Sequence, residues 1–143
     1  MSGRHDEGSE HRGEATTPPR DVSVPGRVSL DEAFSRVSGY WNPVVAAELN
    51  GQMVKLARFR GAFAWHHHDH EDELFLVHRG HFRMEFRDRV VELRAGDMLV
   101  VPRGVEHRPV ADDEAEVILF EPASTLNTGN VRDERTRPVL DRL

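Results

Sequence analysis

The sequence predicts an all-β fold, a sandwich or barrel of short strands. Two observations lead there. From Val44 onward apolar residues recur every second position, as in Phe82, Met84 and Phe86 alternating with His81, Arg83 and Glu85. Turn-forming residues interrupt that pattern at short, regular intervals, which is the rhythm of a strand-rich domain. The chain of 143 residues is long enough for one domain with tails.

The elements follow in order. Residues 1–26 hold many Gly, Pro, Ser, Thr and charged residues and few large apolar ones. Such a stretch buries too little surface to offset its ordering entropy, so a disordered tail carrying His5 and His11 is expected. Ser29 followed three residues later by Glu32 forms a capping-box pattern. Leu30, Ala33, Phe34 and Val37 fall on one stripe, predicting a short helix that stops by Gly39. Strands are predicted over residues 44–49 and 52–59, joined at Asn50-Gly51, where a two-residue hairpin needs positive φ. Further strands are predicted over residues 73–77, 81–86, 90–93, 98–101, 107–110 and 116–120. The domain is thus expected over residues 27–122, helix included. Residues 123–143 are polar and read as an extended arm.

Composition narrows the functional classes. There is no cysteine, which removes disulfides, thiolate nucleophiles, iron–sulfur clusters and cysteine-ligated zinc. With 19 basic against 25 acidic residues the net charge is −6, against the basic face that nucleic acid requires. No apolar run reaches membrane-spanning length, and none near the start resembles a signal peptide. A cytoplasmic protein with neither a nucleic-acid nor a membrane partner is expected. Lys55 is the only lysine beside 18 arginines, and no motif around it supports Schiff-base chemistry.

The chemistry concentrates in one place. Residues 65–73 pack four histidines and four carboxylates into nine positions. In a strand, residues two apart point to one side, so His66 and His68 can grip one ion while His67 faces away. Polar, turn-prone residues 69–72 break the strand, and Glu73 can then begin a neighbouring strand with its carboxylate facing the two histidines. A strand, a Pro102-x-Gly104 turn and a return strand would bring His107 to the same interior. Three histidines and one glutamate leave one or two positions open on a five- or six-coordinate metal. Ligand imidazoles must be neutral, so metal affinity is expected to fall as pH drops through about 6.

Here the chain resembles the cupin superfamily. His66-x-His68, four residues, Glu73, six residues and Gly80 match the first cupin motif, although Gly61 stands one residue closer than its usual leading glycine. Gly96, five residues, Pro102-x-Gly104, two residues and His107 match the second, with Ala111 where an asparagine is usual. Fifteen residues separate the motifs, as in compact bacterial cupins. Asp72 would satisfy a shorter spacing but leaves Gly80 out of step. The text around both motifs, and Leu126-Asn127-Thr128-Gly129-Asn130, is similar to small single-domain bacterial cupins of largely unassigned function.

The resemblance implies a double-stranded β-helix, often dimeric, with His66, His68, Glu73 and His107 holding one divalent transition metal ion: iron, manganese, nickel, zinc, copper or cobalt. It implies a small-molecule ligand and an oxygenase, isomerase or lyase type of reaction, without choosing among them. A non-catalytic metal-binding or small-molecule module fits the same motifs. His67 and His70 are expected at the surface, as are His78 and His81. Asp69, Glu71 and Asp72 are expected on a solvated acidic rim. Trp65, Phe59, Phe63, Phe75, Phe82 and Phe86 are core candidates. Arg58 or Arg60 beside the metal would point to an anionic ligand or an enzyme.

Overall fold

A computed structural model describes residues 26–143. Nearly all of the expected N-terminal tail, with His5 and His11, lies outside the described residues. The elements are α1 (Leu30–Ser35), β1 (Val44–Leu49), β2 (Gln52–Ala62), β3 (Glu73–Arg79), β4 (His81–Phe86), β5 (Val90–Arg94), β6 (Met98–Val101), β7 (His107–Pro122) and β8 (Asp141–Arg142). No described helix is long and apolar enough to cross a membrane.

Helix α1 starts as predicted: the Ser29 hydroxyl accepts from the Glu32 N–H. It ends at Ser35, four residues before Gly39. The barrel supplies the stop instead. Arg58 donates through Nε to the Val37 carbonyl at 3.1 Å and through Nη2 to the Phe34 carbonyl, satisfying groups a helix end leaves open. Arg58 also pairs with Glu114 and Glu116, so it lies on the outer face of β2. At the β1–β2 hairpin Asn50 and Gly51 both take positive φ, 51° and 76°.

The two strands expected over residues 107–110 and 116–120 are one 16-residue strand, β7. Its middle, Asp112-Asp113-Glu114, is exposed. There β7 changes partner on one edge, from β4 (Phe86↔His107 to Arg83↔Val110) to β3 (Arg79↔Glu116 to Leu74↔Phe120). On its other edge β2 follows throughout, from Gln52↔Pro122 to Ala62↔Val110, with an irregularity between Phe59 and Gly61 where the pair bends. β7 is therefore the spine of the fold. The strand order is β5-β4-β7-β2-β1-β8, with β3 also on β7 and β6 on β3.

At the β3–β4 turn Gly80 (φ +76°) passes so close to this bend that a Cβ would sit 2.6 Å from the Glu114 carbonyl oxygen. The glycine is required both by its φ and by the space.

The inward faces of the strands enclose one core, built around Phe59, Phe63, Phe75, Phe82, Met84 and Phe86. A second, smaller cluster joins Ala33, Phe34 and Val37 to Val44, Leu56 and Ile118 on the outside of the barrel. Two residues depart from expectation. Trp65 is half-buried rather than core, with the Arg87 guanidinium 3.9 Å and that of Arg108 5.1 Å from its ring centre. His78 is not a free surface residue: it stacks on Phe34 at 5.2 Å, and its Nε2 lies 2.9 Å from Asp31. The same alternation that places Ala57 and Phe59 inside also places Lys55 inside.

Candidate metal centre

Three separate pieces of chain build the site. Glu73 is the first residue of β3 and His107 the first of β7. His66 and His68 lie on the segment between β2 and β3, outside any regular ladder. That segment is held residue by residue. His66 exchanges two backbone hydrogen bonds with His107, at 3.0 and 2.9 Å. The His67 N–H donates to the Asn130 side chain at 2.8 Å, and the His67 carbonyl accepts from the Asn130 N–H at 3.0 Å. The His68 carbonyl accepts from the Gly104 N–H at 2.7 Å.

These constraints bring the four predicted side chains together. His66, His68, Glu73 and His107 are all buried, and each offers one ligand atom within 4.8 Å of the others. Ligands at about 2.0–2.2 Å from one ion would be separated by up to about 4.4 Å, so the spread is close to that of a single coordination sphere. His68 Nε2 lies 2.8 Å and His107 Nε2 3.3 Å from Glu73 Oε1. None of these three buried atoms has a hydrogen-bond partner of proper geometry. Three such atoms crowded around one point are an arrangement that a shared cation would satisfy.

The tautomers are set for that role. His66 Nδ1 faces the Ala64 carbonyl at 2.8 Å, and His107 Nδ1 faces the Val105 carbonyl at 2.8 Å. A carbonyl only accepts, so both Nδ1 atoms carry the proton, and it is Nε2 that holds the lone pair whenever either ring is neutral. Burial, followed by the neighbouring His107 ring, lowers the His66 pKa from 6.5 to about 4. Proton competition at His66 therefore sets in well below the pH of about 6 expected from a free imidazole. Burial works to raise the Glu73 pKa, but contacts with Glu121, His107 and His68 outweigh it and hold the carboxyl well below its usual range. A buried neutral imidazole and an ionised carboxylate are the donor states a divalent transition metal needs.

Sequence reasoning missed the next layer. Lys55 Nζ lies 2.7 Å from Glu121 Oε1, both side chains 2% exposed, and it also donates to the Thr125 carbonyl at 3.4 Å. Burial and then the Glu73 charge push the Glu121 pKa well up, against the opposing pull of Lys55. The signal was present: Lys55 is in phase with Ala57 and Phe59, and Glu121 with Leu119 and Val117. Only the β2–β7 register, which pairs Lys55 with Leu119, brings the two together.

A cavity of about 30 Å³ adjoins the site. It has room for a water or two. Its walls are mostly apolar, including Trp41, Phe59, Phe63 and Phe75, and its polar groups come from His66, Glu73, Glu121 and Asn127. Of the other sequence candidates, His70 and His81 are exposed, and His67 Nε2 turns outward to Asp69 at 3.0 Å. Asp72 faces away from the cluster and binds the Arg103 backbone and side chain. Arg58 is on the outer face and Arg60 is exposed, so neither stands beside the four ligands.

The comparisons with known proteins agree with this fold. Residues 53–121 match a family model described as a cupin domain. A cupin-2 domain containing protein from Shewanella frigidimarina is 40% identical, with a TM-score of 0.65 over 66% of this chain and 93% of that one. Protein NMB1881 from Neisseria meningitidis is 26% identical, with a TM-score of 0.63 over 68% of this chain and all of its own. Hydroquinone 1,2-dioxygenase from Sphingomonas, at 16% identity and a TM-score of 0.57, covers 66% of this chain and 72% of its own and shares the fold alone. Among curated proteins, the uncharacterized protein YdbB of Bacillus subtilis is 43% identical over 63 residues, 43% of this chain. The match spans 56% of that relative's length. With a core of jelly-roll strands and these similarities, the chain belongs to the cupin-2 domain family.

Proposed function

We propose that this protein is a metal-dependent enzyme acting on a small molecule, with His66, His68, Glu73 and His107 as the ligands of one divalent transition metal ion. One observation carries the reading: three buried polar atoms, His68 Nε2, Glu73 Oε1 and His107 Nε2, converge without hydrogen-bond partners. Leaving such groups unsatisfied costs about 1–3 kcal/mol each, and a shared cation removes that cost. A metal bound there supplies Lewis-acid or oxygen-activating chemistry, of oxygenase, isomerase or lyase type. The chain's own residues do the rest. His66 and His107 present lone pairs fixed by their backbone partners. The apolar walls keep bulk water from the site, and Glu121 Oε2, which has no partner of its own, can hydrogen-bond whatever occupies the cavity. A homodimer in the cytoplasm is part of the same proposal.

The small cavity favours a second reading, a non-catalytic module in which the metal holds a small ligand or braces the barrel. Elemental analysis of tag-free protein separates binding from its absence. About one metal per chain is expected, lost both in His66→Ala/His68→Ala and in His107→Ala, with β-rich circular dichroism retained. Metal content that survives His107→Ala would remove the fourth ligand. Turnover screens on the loaded protein, chosen by the element found, then decide between enzyme and module.

A further inference from the structure

The segment after β7 folds into a closed loop. Asn127 ties its two ends: Nδ2 donates to the Arg135 carbonyl at 2.8 Å, and Oδ1 accepts from the Arg137 N–H at 2.9 Å. Inside, Thr128 is fully buried and its hydroxyl lies 2.8 Å from that of Thr136. Turn hydrogen bonds from the Gly129 and Val131 N–H groups complete it. A loop packed by its own side chains in this way is a compact body.

This body sits on the peptide that links two candidate ligands. Asn130 grips His67 from both sides, through the two hydrogen bonds described above. Gly129 packs so tightly there that a Cβ would stand 2.2 Å from the His67 carbonyl oxygen and 3.2 Å from the His66 ring. The His66–His68 segment has no sheet ladder to fix it. Its backbone order comes from His107, Gly104 and this loop.

We propose that the loop Leu126–Arg137 is the positioning element of the metal centre, with Gly129 and Asn130 clamping the His67 peptide and so setting the pose of His66 and His68 toward one ion. The proposal rests on the metal-binding reading above. Supporting groups behind metal ligands typically contribute about 10–100-fold in affinity. Coupling is also reciprocal: a metal that draws His66 and His68 together must tighten the loop that grips His67.

The test uses the full chain, freed of metal, and Co²⁺ alone as probe, followed by its visible absorption and by competition with a chromophoric chelator. Asn130→Ala should weaken Co²⁺ binding about 10–100-fold, shift the absorption bands and leave the melting of the metal-free protein nearly unchanged. Asn130→Asp keeps an acceptor for the His67 N–H and should restore the wild-type spectrum. A readout that does not depend on a variant comes from trypsin acting after exposed Arg132: saturating Co²⁺ should slow that cleavage several-fold in the wild type. Wild-type affinity and spectrum in folded Asn130→Ala would overturn the clamp while leaving the metal centre intact, as would equal cleavage of the loop with and without bound Co²⁺. No Co²⁺ binding by the wild type would overturn the metal reading and the clamp with it.

Discussion

Replacing Lys55 with methionine isolates the cost of one buried charge. Methionine is close to the lysine stem in length and shape, so Lys55→Met opens little cavity; what disappears is the ammonium 2.7 Å from Glu121 Oε1. Glu121 Oε2 already lacks a partner, and Glu73 lies next to it in the same dry interior. The variant therefore leaves uncompensated negative charge in a buried site, whichever carboxyl carries it. Breaking a buried pair from one side typically costs about 3–5 kcal/mol. Against a total stability of about 5–15 kcal/mol, that is a large share. With a urea slope of about 2 kcal/mol/M, the unfolding midpoint of the metal-free protein should fall by about 2 M. Removing both partners, in Lys55→Met/Glu121→Leu, should cost less than the sum of the two single variants, since each single variant already breaks the shared contact. A Lys55→Met loss below about 1 kcal/mol, or strictly additive losses in the double variant, would refute the claim that Lys55 compensates charge in this interior.

Two further perturbations test other parts of the structure. The folded-state pKa of His66 is depressed from 6.5 to about 4, so the folded metal-free protein binds fewer protons than the unfolded chain in that window. Its contribution is fully present above pH 6.5 and is lost as pH falls toward 4; at 1.36 kcal/mol per unit, the loss is about 3 kcal/mol. Urea midpoints measured every half unit across that window check this, and the decline should shrink in a folded His66→Gln variant. Gly80→Ala, which places a Cβ 2.6 Å from the Glu114 carbonyl oxygen at a φ of +76°, should cost about 1–3 kcal/mol in the same assay.

Much of this molecule was legible in its sequence, for physical reasons that can be named. Strand alternation and the Asn50-Gly51 turn are local signals, and both survive in the structure because backbone twist and burial act at the same positions. The grouping of His66, His68, Glu73 and His107 was legible because spacing and donor chemistry coincide at two separated motifs. What escaped depends on register or on backbone packing. Lys55 meets Glu121 only through the pairing of β2 with β7. The bend that keeps β7 continuous sits on acidic residues 112–114, which read locally as a turn. Helix α1 ends on Arg58, a side chain more than twenty residues away. The 126–137 loop looked like a polar arm because its order comes from hydrogen bonds and a close-approaching glycine rather than from an apolar stripe.

The spine strand ties assembly of the site to folding itself. The pairing of β2 with β7 joins Gln52 to Pro122 and Ala62 to Val110, contacts distant along the chain. Such topologies fold slowly, over milliseconds to seconds, because loop closure must be paid before contacts repay it. Synthesis delivers about 5–20 residues per second, so His66, His68 and Glu73 emerge well before the C-terminal end of β7. His107, the first residue of that strand, joins them only when β7 zips onto β2 and β4. Assembly of the four candidate ligands thus waits on the pairing of β7 with its neighbours. Metal supplied during refolding should accelerate or trap that event, whereas metal supplied afterwards must enter through a finished barrel.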